Sequence, residues 1–261
     1  IKHTEVSMGE ERLKLSERLR ALAELVPAGS VLADIGTDHA WVPAELLLKG
    51  RISRAVAMDI GEGPLARAEA HIAELGLTEQ VSLRLSDGFA ALKPGEADCV
   101  LIAGMGGELM QGILTRGLGA DGRPGPAFRA GVKRYLFSPH TEWEAFRGYL
   151  SAQGFRLTDE RMLKEDGKYY LILVCENGDG EAAYREAEAR GIPVTAARRF
   201  GPMLLERRDT VLRGYMNERL RKEQEIAKRL PESERTAVSA KREELRESIR
   251  LLKECLAHFE E

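Results

Sequence analysis

The sequence predicts an α/β fold: a doubly wound, mostly parallel sheet closed by an antiparallel hairpin, with a C-terminal antiparallel helical coiled coil. Short β-rich apolar runs alternate with helical stretches from Leu13 to Ser151, the pattern of a parallel sheet wrapped by helices. Two extended segments then flank a tight-turn sequence. From Arg198 onward the chain is charged and its apolar residues recur at heptad spacing.

In chain order, a helix is expected over Leu15–Leu25 and the first strand over Val31–Ile35. Further strands are expected over Ala55–Asp59, Val81–Leu85, Cys99–Ala103 and Tyr135–Ser138, near-continuous apolar runs that suit burial on both faces. The helices between and after them are expected over Pro43–Lys49, Pro64–Leu75, Glu108–Leu114 and Glu142–Gln153. Pro43 and Pro64 suit a first helical turn, and Gly76 and Gly154 sit where helices end. Phe155–Leu163 and Tyr169–Cys175 then flank Glu165, Asp166 and Gly167, a turn sequence suited to a hairpin.

Asn177 to Gly180 reads as a break, which divides the chain into a sheet domain at 8–177 and a helical domain at 178–261. In the latter, Val238, Leu245, Ile249, Leu252, Leu256 and Phe259 are spaced as a coiled-coil seam. Leu212, Met216, Leu220, Ala227 and Leu230 supply a facing stripe, with "PESE" from Pro231 as the turn. Helices that pack only on each other and on the sheet domain explain this pattern as well as a dimerisation or RNA-binding arm does. "LGADGRPGPAF", Leu118 to Phe128, reads as a mobile Gly/Pro loop near the site edge.

Composition narrows the functional classes. The apolar share of 43% and charged share of 31% are those of a soluble globular protein. No run approaches the roughly 18 apolar residues of a membrane span. Cys99, Cys175 and Cys255 are far apart and odd in number, which argues against a disulfide framework and a zinc site and for a cytoplasmic protein with free thiols. Ile1–Ser7 lacks the features of a signal peptide, and the natural start is expected at Met8. Net charge is −3, but the part from Arg198 holds 16 Lys/Arg against 13 Asp/Glu; such a balance neither announces nor excludes a nucleic-acid partner. A monomer or weak dimer is expected.

The chemistry concentrates at the ends of the expected strands. Asp34 and Gly36 suit a loop whose backbone approaches a ligand, yet Asp38 stands where a dinucleotide-binding turn carries its second glycine. A carboxylate there repels a diphosphate and attracts a cationic centre. S-adenosylmethionine has a sulfonium, an ammonium and no phosphate, so the missing glycine favours it over a nicotinamide dinucleotide. Met58 and Asp59 end the second strand, 25 positions after Asp34, where an acid can accept both ribose hydroxyls. Ser86, Asp87 and Gly88 end the third, placing a carboxylate for the adenine amine. An acid at one strand end is often only a cap or turn; three in succession are harder to explain so.

"AGMGGE", Ala103 to Glu108, ends the fourth strand. Gly104, Met105, Gly106 and Gly107 form either a tight strand-to-helix turn or a surface over which a flat base can slide. "SPHTEW" follows the fifth strand, and its His140 is a candidate contact for base or phosphate, as is His39 beside Asp38. No Cys/His cluster makes a metal site, and no nucleophilic serine context occurs.

Six segments, "LKLSERLRAL", "LADIGTDHAWVP", "VSLRLSDGF", "AGMGGELM", "EDGKYYLILV" and "RRFGPMLLERRDTVL", together resemble the bacterial tRNA (adenine(22)-N(1))-methyltransferase family from about Leu13 to the start of the terminal coil. The resemblance implies a class I S-adenosylmethionine-dependent enzyme with a Rossmann-like sheet domain and a C-terminal coiled coil, acting on an adenine of the tRNA D-arm region. It implies cofactor roles for Asp34, Gly36, Asp59 and Asp87, and a catalytic role for Asp38. The chain departs from the family's usual Gln-Pro-Asn at Ser138, Pro139 and His140.

Adenine N1 is hidden in a base pair, so the base must be unpaired or turned out. Asp38 is then expected to accept a hydrogen bond from the exocyclic amine and assist its deprotonation. Phosphate contacts are expected from Arg18 and Arg20, from the Arg198 and Arg199 pair, and from Arg207 and Arg208. The alternatives are a methyltransferase acting on another RNA, a protein or a small molecule, and a non-catalytic RNA-binding protein.

Overall fold

The computed structural model describes residues 13–117, 131–230 and 236–260. The Gly/Pro loop from Leu118, the expected start at Met8 and the turn at Pro231 lie outside them. The described chain falls into two units, one holding residues up to Arg161 with Tyr170–Ala182, the other Met162–Tyr169 with the chain from Ala183.

The first unit is built on a seven-stranded sheet of order β3-β2-β1-β4-β5-β7-β6. Its parallel strands are β1 (Val31–Ile35), β2 (Arg54–Asp59), β3 (Val81–Leu85), β4 (Cys99–Met105) and β5 (Arg134–Pro139). Helices α1 (Glu17–Leu25), α2 (Trp41–Leu48), α3 (Glu62–Glu74), α4 (Gly107–Arg116) and α5 (Trp143–Ala152) alternate with them. Their starts follow local chemistry: Ser16 accepts the Leu19 amide at 3.3 Å to cap α1, while Pro43 sits in the first turn of α2, where it displaces no helical hydrogen bond.

The chain winds outward from β1 through β2 to β3 and then returns to β4. The switch point therefore lies between β1 and β4, which pair directly from Leu32↔Cys99 to Ile35↔Ile102. In open α/β sheets the carboxyl ends of such strands form the ligand crevice.

Strands β6 (Phe155–Glu165) and β7 (Lys168–Asn177) close the sheet, β7 pairing antiparallel with β5. Asp166 and Gly167 join them with φ of 48° and 76°, the two positive dihedrals of a type I′ hairpin turn. Beneath this half of the sheet Tyr135, Phe137, Phe146 and Phe155 are buried. Their rings meet edge to face at 5.0 Å for Tyr135–Phe155 and 5.5 Å for Phe137–Phe146, a favoured aromatic geometry.

The second unit contains short helices that the sequence reading did not foresee: α6 (Ala182–Ala189), which begins at the boundary, α7 (Val194–Phe200) and α8 (Pro202–Glu206). Gly201, with φ of 99°, turns the chain between the last two. Helices α9 (Thr210–Arg229) and α10 (Thr236–Ala257) follow, α9 capped by Asp209, which accepts the amides of Val211 and Leu212 at 3.0 Å. Leu230 meets Arg242, and Glu223 meets Ser248; the numbering falls on one helix as it rises on the other, so the pair is antiparallel.

The seam differs from the expected one. In α10 the buried line is Leu245, Ser248, Leu252 and Cys255, and in α9 it is Leu212, Met216 and Glu223. Ile249, Leu256, Leu220, Ala227 and Leu230 are only half-buried. A polar contact causes the shift: Ser248 donates to Glu223, whose carboxylate also accepts from Arg219 Nε at 2.7 Å. Apolar spacing alone cannot register a buried polar pair.

Candidate active site

The turn after β1 is set by three contacts. Gly36 and Thr37 donate their amides to Met58 O at 2.8 and 3.0 Å, and Thr37 Oγ1 donates to Asp34 Oδ2 at 2.6 Å. Gly36 has φ of 76°, and a Cβ on it would sit 2.6 Å from Met105 Cε, so the bare backbone lets the ends of β1 and β4 approach. Asp34 is buried, which pushes its carboxyl up to about 6; the Thr37 hydrogen bond opposes the rise and the nearby Asp59 charge adds to it.

Asp38 and Ala40 follow with φ of 48° and 54°. Non-glycine residues in this region are strained by roughly 1–2 kcal/mol each, and such strain clusters at functional sites. The Asp38 side chain is exposed, accepts a hydrogen bond from Arg67 of α3 at 2.6 Å, and has His39 Nε2 3.9 Å from its other oxygen. His39 is itself anchored: its carbonyl lies 2.7 Å from His71 Nδ1, and the Trp41 ring meets both imidazoles at a tilt, 5.7 Å from His39 and 4.2 Å from His71.

The next two strand ends supply the remaining acids. Asp59 accepts the Gly61 amide at 2.9 Å and the Asp38 amide at 3.4 Å, so one carboxylate ties the β1 and β2 turns together. Ile60 beside it is 70% exposed, an apolar surface at the crevice that a flat ring can cover. Asp87 pairs with Arg116 at 2.8 Å. Gly88, with φ of 58°, leaves room for Ile113, whose Cγ2 would stand 2.8 Å from a Cβ there.

At the end of β4, Gly104 is exposed, has φ of 83° and lies in the register shift between Ala103↔Ser138 and Met105↔Pro139, a bulge that leaves it out of the ladder. Gly106 and Gly107 have a different reason. A Cβ on Gly107 would lie 2.8 Å from Thr141 O, and one on Gly106 3.0 Å from Thr141 Oγ1. Glu142 accepts the Glu108 amide at 3.1 Å and the Thr141 hydroxyl at 2.7 Å, and these bonds hold its carboxyl below the usual range. Close packing on 141–142 thus accounts for both glycines without a ligand.

His140 donates its amide to Met105 O at 2.9 Å, and its exposed ring meets Tyr170 of β7 edge to face at 5.8 Å. Ser138 is fully buried, and its Oγ has no hydrogen-bond partner among the described residues. The other expected substrate contacts belong to the second unit. There Arg198 lies 4.7 Å over the Tyr184 ring, and Arg199, 17% exposed, reaches Ser248 and Glu223. Both guanidiniums therefore have structural work within that unit.

The sheet thus brings together Asp34, Gly36, Asp38, His39 and Asp59 around the β1 and β2 ends, Asp87 and Gly88 at β3, and Gly104 to Gly107 with His140 across β4 and β5. Sequence reasoning missed Thr37, Arg67, Glu142 and Tyr170. Thr37 carried a signal, since a hydroxyl three residues beyond a buried acid can reach back to it; the other three depend on which elements pack side by side. Among the described residues no helix is long and apolar enough to cross a membrane, and no His/Cys/Asp/Glu group is arranged to hold a metal ion.

The residues present fit S-adenosylmethionine. Carboxylates at three successive strand ends offer acceptors for an ammonium, ribose hydroxyls and an adenine amine, and Ile60 offers an apolar face.

A family model described as tRNA (adenine(22)-N(1))-methyltransferase matches residues 32–254. The tRNA (adenine(22)-N(1))-methyltransferase of Bacillus subtilis is 36% identical over 247 residues, covering 94% of this chain and 98% of that protein. A crystal structure of the B. subtilis m1A22 tRNA methyltransferase aligns with a TM-score of 0.81 over 94% of this chain and all of that one, at 36% identity. A candidate tRNA (m1A22) methyltransferase of Streptococcus pneumoniae, solved with S-adenosyl-L-methionine, aligns with a TM-score of 0.77 and 31% identity over 93% of this chain and 99% of that one. With the family model spanning the sheet and the terminal helices alike, and a relative this similar along nearly its whole length, the chain belongs to the tRNA (adenine(22)-N(1))-methyltransferase family.

Proposed function

We propose that this chain methylates N1 of adenine 22 in the D-arm region of tRNA, with S-adenosylmethionine as donor and Asp38 as the group that acts on the acceptor base. The observation that carries the reading is the position of Asp38. Its backbone is tied to Asp59 on the cofactor side, while its carboxylate projects outward, steadied by Arg67 at 2.6 Å.

The cofactor, when bound, supplies an electrophilic methyl group on a sulfonium. Asp34 would hold its ammonium, Asp59 its ribose hydroxyls and Asp87 its adenine amine, with Gly36, Gly88, Gly104 and Met105 shaping the backbone around it. Adenine 22 enters unpaired. Asp38 accepts a hydrogen bond from the exocyclic amine on the oxygen that Arg67 does not hold, and takes that proton as N1 becomes cationic. Alignment of N1 with the methyl group supplies much of the remaining acceleration. Gly106, Gly107, His39 and His140 border the base.

The sheet domain, 8–177, carries this chemistry, and the helical domain, 178–261, contributes tRNA contacts. The chain acts as a monomer or weak dimer, and the tRNA substrate points to the cytoplasm. Incubation of the protein with an unmodified tRNA transcript and labelled cofactor, followed by mapping of the product nucleoside, tests the reading. N1-methyladenine at position 22 is expected; label elsewhere, or none, overturns it.

A further inference from the structure

The edge formed by the carboxyl ends of β4 and β5 and the amino end of β7 holds a further cation, one with no part in the chemistry of the acids. Arg18 of α1 places its guanidinium carbon 5.3 Å from the centre of the Tyr170 ring, and its Nη1 lies 4.0 Å from where a Cβ on Gly104 would be. The β5–β7 pairing runs from Tyr135↔Cys175 to Phe137↔Leu173; continued, it sets Tyr170 opposite His140, whose ring meets it at 5.8 Å. Arg18 has no carboxylate partner among the described residues, whereas Arg67 and Arg116 at the same edge are paired with Asp38 and Asp87.

A guanidinium resting on an aromatic face keeps its in-plane N–H donors, and little side-chain freedom is left to lose when an anion arrives. Arg20, two residues on, lies about 200° around the helix and is exposed; only Arg18 faces this edge. Gly104, exposed and without a side chain, leaves the space beside that guanidinium open to a sugar-phosphate.

We propose that Arg18 grips the phosphate backbone of the RNA segment that delivers the target adenine, with Tyr170 as the positioning residue that holds it beside Gly104. This rests on the reading of the chain as a tRNA methyltransferase. Phosphate contacts fix the register of a nucleic acid, so Arg18 sets how far the displaced nucleotide reaches toward Asp38.

The test is steady-state methylation of a tRNA transcript by Arg18→Ala, Arg18→Lys, Tyr170→Phe and Tyr170→Leu, with S-adenosylhomocysteine affinity measured on each. Loss of a charge-assisted contact is expected to raise KM for tRNA about tenfold or more, and to lower the slope of log KM against log salt by about one. Arg18→Lys should recover part of the loss, and Tyr170→Phe, which keeps the ring, nearly all activity. Tyr170→Leu should match Arg18→Ala, and the double variant should be no worse than either. Cofactor affinity should stay unchanged throughout. Additive losses, an unchanged KM for Arg18→Ala, or a parallel fall in cofactor affinity overturns the proposal. Wild-type methylation at adenine 22 in the same assay separates its failure from failure of the functional reading.

Discussion

Arg67 of α3 donates a 2.6 Å hydrogen bond to Asp38, 29 residues earlier in the chain. Both side chains are exposed, so the pair adds little to stability. Its consequence is geometric: Asp38, at φ 48° in a strained turn, has one oxygen held by Arg67 and the other 3.9 Å from His39 Nε2.

Asp38→Asn is therefore expected to keep S-adenosylhomocysteine affinity and lose most turnover, by about a hundredfold or more, since general-base assistance contributes roughly 10²–10⁴. Arg67→Ala should lower kcat less, by roughly tenfold, with cofactor affinity retained. Single-turnover methylation alongside calorimetry checks both. Near-normal turnover in Asp38→Asn would remove the carboxylate from the chemistry.

Asp34 gives a pH dependence with a definite sign. Its pKa is about 6 in the folded protein against an ordinary 3.8. Between those values the folded state binds more protons than the unfolded one, so this group's contribution to stability falls as pH rises from about 4 to 6 and is level above. The accumulated penalty is on the order of 3 kcal/mol at pH 7. Asp34→Asn should therefore melt several degrees higher at pH 7.5 yet bind S-adenosylhomocysteine at least tenfold more weakly. In the wild type, affinity should decline as pH falls through about 6, with proton release on binding in that range. Calorimetry in buffers of different ionisation enthalpy reads it directly; binding independent of pH from 5 to 8 would detach Asp34 from the ligand.

What the sequence made legible, and what it did not, follows from the range of each interaction. Strands β1 to β5 read well because burial on both faces leaves an uninterrupted apolar run. The hairpin read well because Asp166-Gly167 is a local turn signal. The acids of the crevice were visible because strand ends in this topology converge on one edge. The partners of those acids were not: Arg67 reaches Asp38, and Arg116 reaches Asp87, only through packing of elements distant in sequence. Helices α6 to α8 run eight residues or fewer between Gly191, Pro193, Gly201 and Pro202, too short for periodicity to rise above the punctuation.

The glycines after β4 can be separated by substitution. Gly107 has no positive φ, so Gly107→Ala is opposed by contact alone, at 2.8 Å from the Thr141 carbonyl. A loss of roughly 1–3 kcal/mol is expected, because backbone cannot give way as a side-chain tip can. At Gly148 within α5 an added methyl group would meet nothing within 4 Å, and Gly148→Ala should instead stabilise by roughly 0.5–1 kcal/mol. Urea unfolding of the two variants, read against the wild type, should move in opposite directions. A neutral Gly107→Ala would mean that the 141–142 segment yields, and would leave the border of the base as the reason for that glycine.

The ion pair of Arg147 and Glu160 fixes α5 against β6, with side chains 1% and 0% exposed and Arg147 Nε donating to Glu160 Oε1 at 2.8 Å. Removing one member takes from the other its counter-charge in the core. Arg147→Met or Glu160→Leu alone should therefore destabilise by about 3–5 kcal/mol, whereas the double variant, with no buried charge left, should recover most of the loss. The cycle also bears on function. Strand β7, which carries Tyr170, lies between β5 and β6, so a single variant that loosens β6 should raise KM for tRNA while leaving cofactor affinity intact, because the acids stand on the other half of the sheet. Recovery of stability without recovery of KM in the double variant would show that the pair sets the register of the hairpin as well as holding it down. Denaturant midpoints and tRNA kinetics on the three variants distinguish these outcomes.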